Sequence, residues 1–142
     1  PWTDVVRGAW RAGLVPPRPW RQLARLVPEL AGAPADDASR DATRDGGRDP
    51  GLTEAATPAE SAGSRAALFE ELEEFLGLAS VTRPLVVLLD DMQWADAASW
   101  EALDHLLARL AQQRVLVCLT LRAEDLDAEA EDRRRRIARS ER

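Results

Sequence analysis

Asp90-Asp91 and Thr120-Leu121-Arg122 are the residues of this 142-residue chain whose types could act together on a phosphate group. One carboxylate can hold Mg²⁺ directly or through water, and a second can orient or deprotonate an attacking water. A threonine hydroxyl and a guanidinium can sense a terminal phosphate. Taken alone, an Asp pair serves equally well as turn or helix-capping chemistry. The elements around the two pairs therefore decide whether they meet.

Each pair follows an apolar run. Leu85-Val86-Val87-Leu88-Leu89 precedes the acids and Val115-Leu116-Val117-Cys118-Leu119 precedes the threonine. Such continuous runs of β-branched residues and leucine, without alternation, predict strands buried on both faces. Between them Asp96 stands where an N-cap belongs, and Trp100, Leu103, Leu106, Leu107 and Leu110 form one helical stripe. Strand, helix, strand is the crossover unit of a parallel α/β sheet, and its strands deliver their carboxyl ends to one rim. Asp90, Asp91, Thr120 and Arg122 are thus expected at a common edge, where ligands of open parallel sheets bind.

Upstream, Trp2, Val5, Val6, Ala9 and Trp10 predict an amphipathic helix over residues 2–14, ended by Pro16, Pro17 and Pro19. Trp20, Leu23, Ala24 and Val27 suggest a second short helix, stopped at Pro28. Residues 31–64 turn to Ala, Asp, Gly, Pro, Ser and Thr, with Arg-Asp pairs at 40–41, 44–45 and 48–49. That composition cannot bury surface and reads as a charge-balanced disordered linker. Order is expected again from Arg65, where Leu68, Phe69, Leu72, Phe75 and Leu76 mark a helix to about Leu78.

The segment Pro84-Leu-Val-Val-Leu-Leu-Asp-Asp-Met-Gln-Trp-Ala-Asp96 resembles the Walker B region of the STAND-type signal-transduction ATPases, relatives of AAA proteins in large bacterial regulators. Many of those carry a LuxR-type DNA-binding domain. Their pattern is a run of aliphatics, Asp-Asp, a short spacer, Trp-Ala-Asp and a helix; Thr120-Leu121-Arg122 is similar to their sensor segment. The resemblance is strong over residues 65–125, looser over 1–30, and absent from the linker and tail. It implies ATP and Mg²⁺ as cofactors, Asp90 as the metal-coordinating carboxylate, Asp91 as the catalytic base or water-orienting group, and Thr120 with Arg122 as the γ-phosphate sensor pair. Trp94 would wedge the loop and Asp96 cap the helix.

One departure is large. All 19 basic residues are Arg, so the phosphate-gripping loop G-x-x-x-x-G-K-[ST] cannot be written anywhere in the chain. The expected fold class is therefore a partial P-loop NTPase: a parallel sheet with flanking helices, holding the Walker B and sensor half of the site. Its segments are residues 1–30 (helical), 31–64 (linker), 65–125 (βαβ core) and 126–142 (charged helical tail). The chain is expected to start inside such a domain, or to descend from one that lost the loop, and to be inactive by itself. The expected function is ATP-dependent regulation in a signalling or transcriptional regulator, whose output domain is the implied partner. The alternative is a non-catalytic interaction scaffold.

Other chemistries fit poorly. A net charge of −6 disfavours a direct nucleic-acid grip. Arg133–Arg136 follow Glu129, Glu131 and Asp132 at ion-pair spacing, which reads as a solvated, near-neutral helical tail. A single cysteine, Cys118, allows no internal disulfide and reads as a small core residue. His105 shares a helix face with Glu101 and Arg109, opposite the leucine stripe, and is expected in solvent. The five Trp residues lack basic interleaving and read as core or interface anchors. A phospho-acceptor receiver domain would need a later acceptor Asp and a Lys, and neither is present in place. No apolar run is long enough to span a bilayer, so the cytoplasm is the expected compartment.

Overall fold

The computed structural model describes residues 1–32 and 58–140. The chain enters as helix α1 (Trp2–Arg11), which buries Trp2, Val6 and Ala9. Gly13, at φ +64°, closes it, with the Gly13 and Leu14 N–H groups returning to Trp10 and Ala9 carbonyls. Helix α2 (Leu23–Leu26) and a 3₁₀ turn (Pro28–Gly32) follow. The 23-residue helix α3 (Pro58–Ser80) then leads into strand β1 (Leu85–Leu89). Helix α4 (Ala97–Arg109) crosses to strand β2 (Val115–Leu119), and α5 (Ala128–Ser140) ends the described chain.

The two strands pair in parallel, Leu85 opposite Val115 through Leu89 opposite Leu119, and form a two-stranded sheet among the described residues. The core gathers Trp20, Leu23, Val27 and Leu30 from the N-terminal segment with Leu72, Phe75 and Leu76 of α3. It continues through Val87 and Leu89 of β1 into Trp100, Leu103 and Leu106 of α4. The Trp2 indole N–H donates to the Ser99 carbonyl at 3.0 Å and pins α1 to the start of α4. Arg114 reaches back to the Ser80 carbonyl and fixes the entry to β1 against that of β2.

Several expectations need correction. Strand β1 is not buried on both faces: Val87 and Leu89 are inside, whereas Val86 and Leu88 are 64% and 61% exposed, as is Leu116 of β2 at 59%. The described helices leave Val86, Leu88 and Leu116 open on that face, and composition alone does not record whether a second layer is present. Helix α3 begins at Pro58, ahead of Arg65, because proline is well placed in a helix's first turn, where its missing N–H has no intrahelical partner. The remainder of the linker assignment, residues 33–57 with the Arg-Asp pairs, lies outside the described residues.

The C-terminal helix is docked and not a solvated tail. Ala130 and Ile137 are buried, and Arg133 spans from Glu129 (2.7 Å) to Asp104 on α4 (3.5 Å). His105 is likewise drawn out of solvent, since α3 lies alongside α4 and its Glu73 carboxylate sits 3.2 Å from the imidazole Nε2. Of the tryptophans, Trp94 is no core anchor: it is 74% exposed.

Two expected results follow from these contacts. The Glu71 carboxylate of α3 accepts the Gln22 and Leu23 N–H groups at 2.7 and 2.6 Å, capping α2 from a distant element. Glu71→Ala leaves both donors without a partner, and charged hydrogen bonds of this kind contribute about 1.5–3 kcal/mol. A urea titration should register a loss in that range, with Glu71→Gln losing less because one carbonyl acceptor remains. A loss below about 0.5 kcal/mol, the scale of an ordinary surface change, would show that the cap is idle.

The second concerns acid. Glu131 accepts from Arg134 and also from Arg135, both at 2.7 Å, and these bonds, Arg134 foremost, hold its carboxyl down at about 2 against an ordinary 4.5. A lowered folded-state value means the contribution is complete above the ordinary value and disappears as pH falls from there toward 2. Far-ultraviolet circular dichroism should show α5 helicity declining across that window. Glu131→Gln should remove this part of the acid sensitivity; an unchanged acid profile would assign it to other carboxylates.

Candidate nucleotide site at the strand carboxyl edge

The ladder between β1 and β2 carries on past the last strand residues. The Thr120 N–H donates to the Leu89 carbonyl, and the Met92 N–H to the Thr120 carbonyl, both at 3.0 Å. Asp90 and Thr120 are therefore neighbours by register, one step beyond the Leu89–Leu119 pair. The Thr120 hydroxyl donates to Asp90 Oδ1 while accepting the Asp91 N–H at 3.0 Å. One small hydroxyl thus ties the ends of both strands together.

Asp91 turns the chain. Its φ of 54° is the left-handed region, the only such non-glycine position among the described residues, and Asp tolerates it better than most side chains do. The turn feeds a 3₁₀ segment (Met92–Trp94) whose Met92 is completely buried, so the loop is anchored from below. Asp96 then caps α4, its Oδ1 accepting the Ser99 N–H at 2.8 Å, and bonding from Ser99 holds its carboxyl below the ordinary range. The helix-capping role expected of Asp96 is what the structure shows.

Of the four residues expected at one edge, Asp90, Asp91 and Thr120 are joined directly. Arg122 joins through its backbone: its N–H donates at 3.1 Å to Gln93 Oε1, and Gln93 Nε2 donates at 3.0 Å to Asp91 Oδ1. The Arg122 guanidinium points instead to Asp125, 3.9 Å away, and its side chain is 65% exposed. Gln93 is the residue the sequence did not single out, since it sits in the spacer between Asp-Asp and Trp-Ala-Asp.

This set suits a hard cation and its waters. Asp90 Oδ2 makes no hydrogen bond among the described residues, and Asp90 ends a cleft of about 520 Å³ between α1 and the uncovered face of β1. The described residues contain no cluster of three or more His, Cys, Asp or Glu able to enclose a metal. Mg²⁺, which keeps several waters and shares its shell with phosphate oxygens, is commonly held by one or two carboxylates and fits that arrangement. The phosphate-holding half is not matched: there is no Lys in the chain.

The model of the AAA ATPase domain family matches residues 5–118, from within α1 to within β2 and across both acids. The chain belongs to the AAA ATPase domain family. No curated protein and no solved structure matches it. Membership makes the chain an AAA-type P-loop ATPase module, and the mixed α/β arrangement with a parallel strand pair is compatible with part of that fold. The match ends just short of Thr120 and Arg122, so their placement rests on the strand register and the hydrogen bonds above. No helix among the described residues is long and apolar enough to cross a membrane.

Proposed function

We propose that this AAA ATPase domain chain supplies the metal-and-sensor half of an ATP-binding regulatory module, of the STAND type found in bacterial signalling and transcriptional regulators. The observation that carries it is the Thr120 hydroxyl bridging Asp90 and the Asp91 backbone, which makes one rim of two strand ends. In this reading Asp90 ligates Mg²⁺ and Asp91 orients the attacking water. Thr120 and Arg122 respond to the terminal phosphate, the exposed Arg122 side chain being free to swing from Asp125. The bound ATP·Mg²⁺ supplies the electrophilic phosphorus and its charge neutralisation. These residues position water and register the phosphate, and an output domain of the same protein receives the change.

The reading requires a phosphate-binding loop ahead of Pro1, because Arg cannot replace the loop lysine in G-x-x-x-x-G-K-[ST]. The test is the coding frame upstream, followed by ATP binding measured on the protein in its full encoded length. The expected result is that loop, in frame after a short apolar strand, with Mg²⁺-dependent ATP binding. An unrelated domain there, with no ATP binding, would overturn the proposal. It would favour the interaction-scaffold reading, for which the uncovered Val86, Leu88 and Leu116 face is the supporting observation.

A further inference from the structure

Gln93 occupies a position whose hydrogen bonds leave it one orientation. Asp91 Oδ1 only accepts, and the Arg122 N–H only donates. The Gln93 amide meets the first with Nε2 at 3.0 Å and the second with Oε1 at 3.1 Å, and a flipped amide would lose both bonds. The backbone beneath it is fixed by Met92, buried completely and hydrogen-bonded to Thr120, and by the Trp94 N–H to Asp91 carbonyl bond at 3.0 Å. The side chain therefore connects the acid that follows β1 to the main chain that follows β2, at a level beyond the Thr120 bridge.

We propose that Gln93 is a positioning residue of the nucleotide site, holding the Asp91 carboxylate and the Arg122 backbone as one unit. This rests on the function proposed above. A shift of the Arg122 segment toward a terminal phosphate draws on Gln93 Oε1, and Gln93 Nε2 passes the displacement to the carboxylate that orients water. Neither a hydrocarbon nor a carboxylate can substitute. Leucine makes neither bond, and glutamate keeps the acceptor for Arg122 while setting a second negative charge against Asp91.

The pair Gln93→Leu and Gln93→Glu separates the two ends. In this chain, amide hydrogen exchange at Arg122 should accelerate at least about tenfold in Gln93→Leu and stay near the original rate in Gln93→Glu. In the protein at full encoded length, both substitutions should lower kcat for ATP by about tenfold or more with KM nearly unchanged, the pattern of an interaction that matters in the transition state. Unaltered Arg122 exchange in Gln93→Leu overturns the bridge. Equal acceleration in both variants, with a matching fall in the urea midpoint, reduces Gln93 to loop packing and overturns the positioning role. Absence of turnover in the unsubstituted protein overturns the nucleotide reading instead, and the exchange data still decide the bridge.

Discussion

Asp90→Ala should reduce ATP·Mg²⁺ turnover by about 100-fold or more in the protein at full encoded length, equivalent to about 2.7 kcal/mol of lost transition-state stabilisation. The proposed role gives Asp90 two duties, and the alanine removes both. Its carboxylate is the hard oxygen ligand at the rim, and its Oδ1 is the acceptor for the Thr120 hydroxyl. Losing the second leaves the backbone bonds of Thr120 to Leu89 and Met92 in place but removes the acceptor that orients the hydroxyl receiving the Asp91 N–H. Asp90→Asn separates the duties, because the amide oxygen still accepts from Thr120 while the charge that attracts the cation is gone. If the metal duty dominates, Asn falls nearly as far as Ala, and excess Mg²⁺ recovers part of the loss. If bracing dominates, Asn is close to unsubstituted protein. Turnover that survives both substitutions would remove Asp90 from the site.

The sequence disclosed this rim because parallel strands leave little freedom. Two apolar runs joined by a capped helix have one common arrangement, and whatever follows their last residues lands together. The capping aspartate was legible for the same local reason: Asp96 lies three residues before the amide it accepts. What escaped was non-local or depended on neighbours. Glu71 caps α2 from a helix far along the chain, with no spacing to betray it. Val86 and Leu88 look like core residues because apolarity does not record whether a second layer covers them. His105 met Glu73 only because α3 and α4 run side by side, and the α5 charges reached Asp104 on α4 from a helix with two buried apolar residues, Ala130 and Ile137. Gln93 was invisible as a polar residue in a spacer, although its place between an acceptor-only and a donor-only group is what gives it meaning. The start of α3 at Pro58 was readable in principle, since proline in an Ala- and Glu-containing stretch is a helix-opening signal.

Phe75→Ala should cost about 3–5 kcal/mol of stability, the range for truncating a fully buried aromatic side chain. Phe75 is completely buried on α3, between Leu72 and Leu76 on the inward stripe. Its ring meets the Trp20 indole edge-on, with centroids 5.1 Å apart and planes at 70°, the orientation aromatic quadrupoles favour. Trp20 is held from elsewhere by the Arg18 guanidinium, 3.9 Å from the ring centroid. Arg18 is tied in turn to Glu74 on the same α3 turn as Phe75. Truncation removes the transfer energy of the ring, leaves a cavity, and deprives Trp20 of its partner, so α3 loses its grip on the N-terminal segment. Against a typical total of roughly 5–15 kcal/mol, that loss is a large fraction of the stability of the fold. Urea titration followed by tryptophan fluorescence should show a much lower midpoint with an unchanged slope, the signature of lost stability without a change of denatured state. Val81→Ala, at a residue 63% exposed, provides the comparison and should shift stability by no more than about 0.5 kcal/mol. A Phe75→Ala loss as small as that would mean the Trp20–Phe75 contact does not join the N-terminal helices to the βαβ unit, and the rim would then have to stand on α3, α4 and the strands alone.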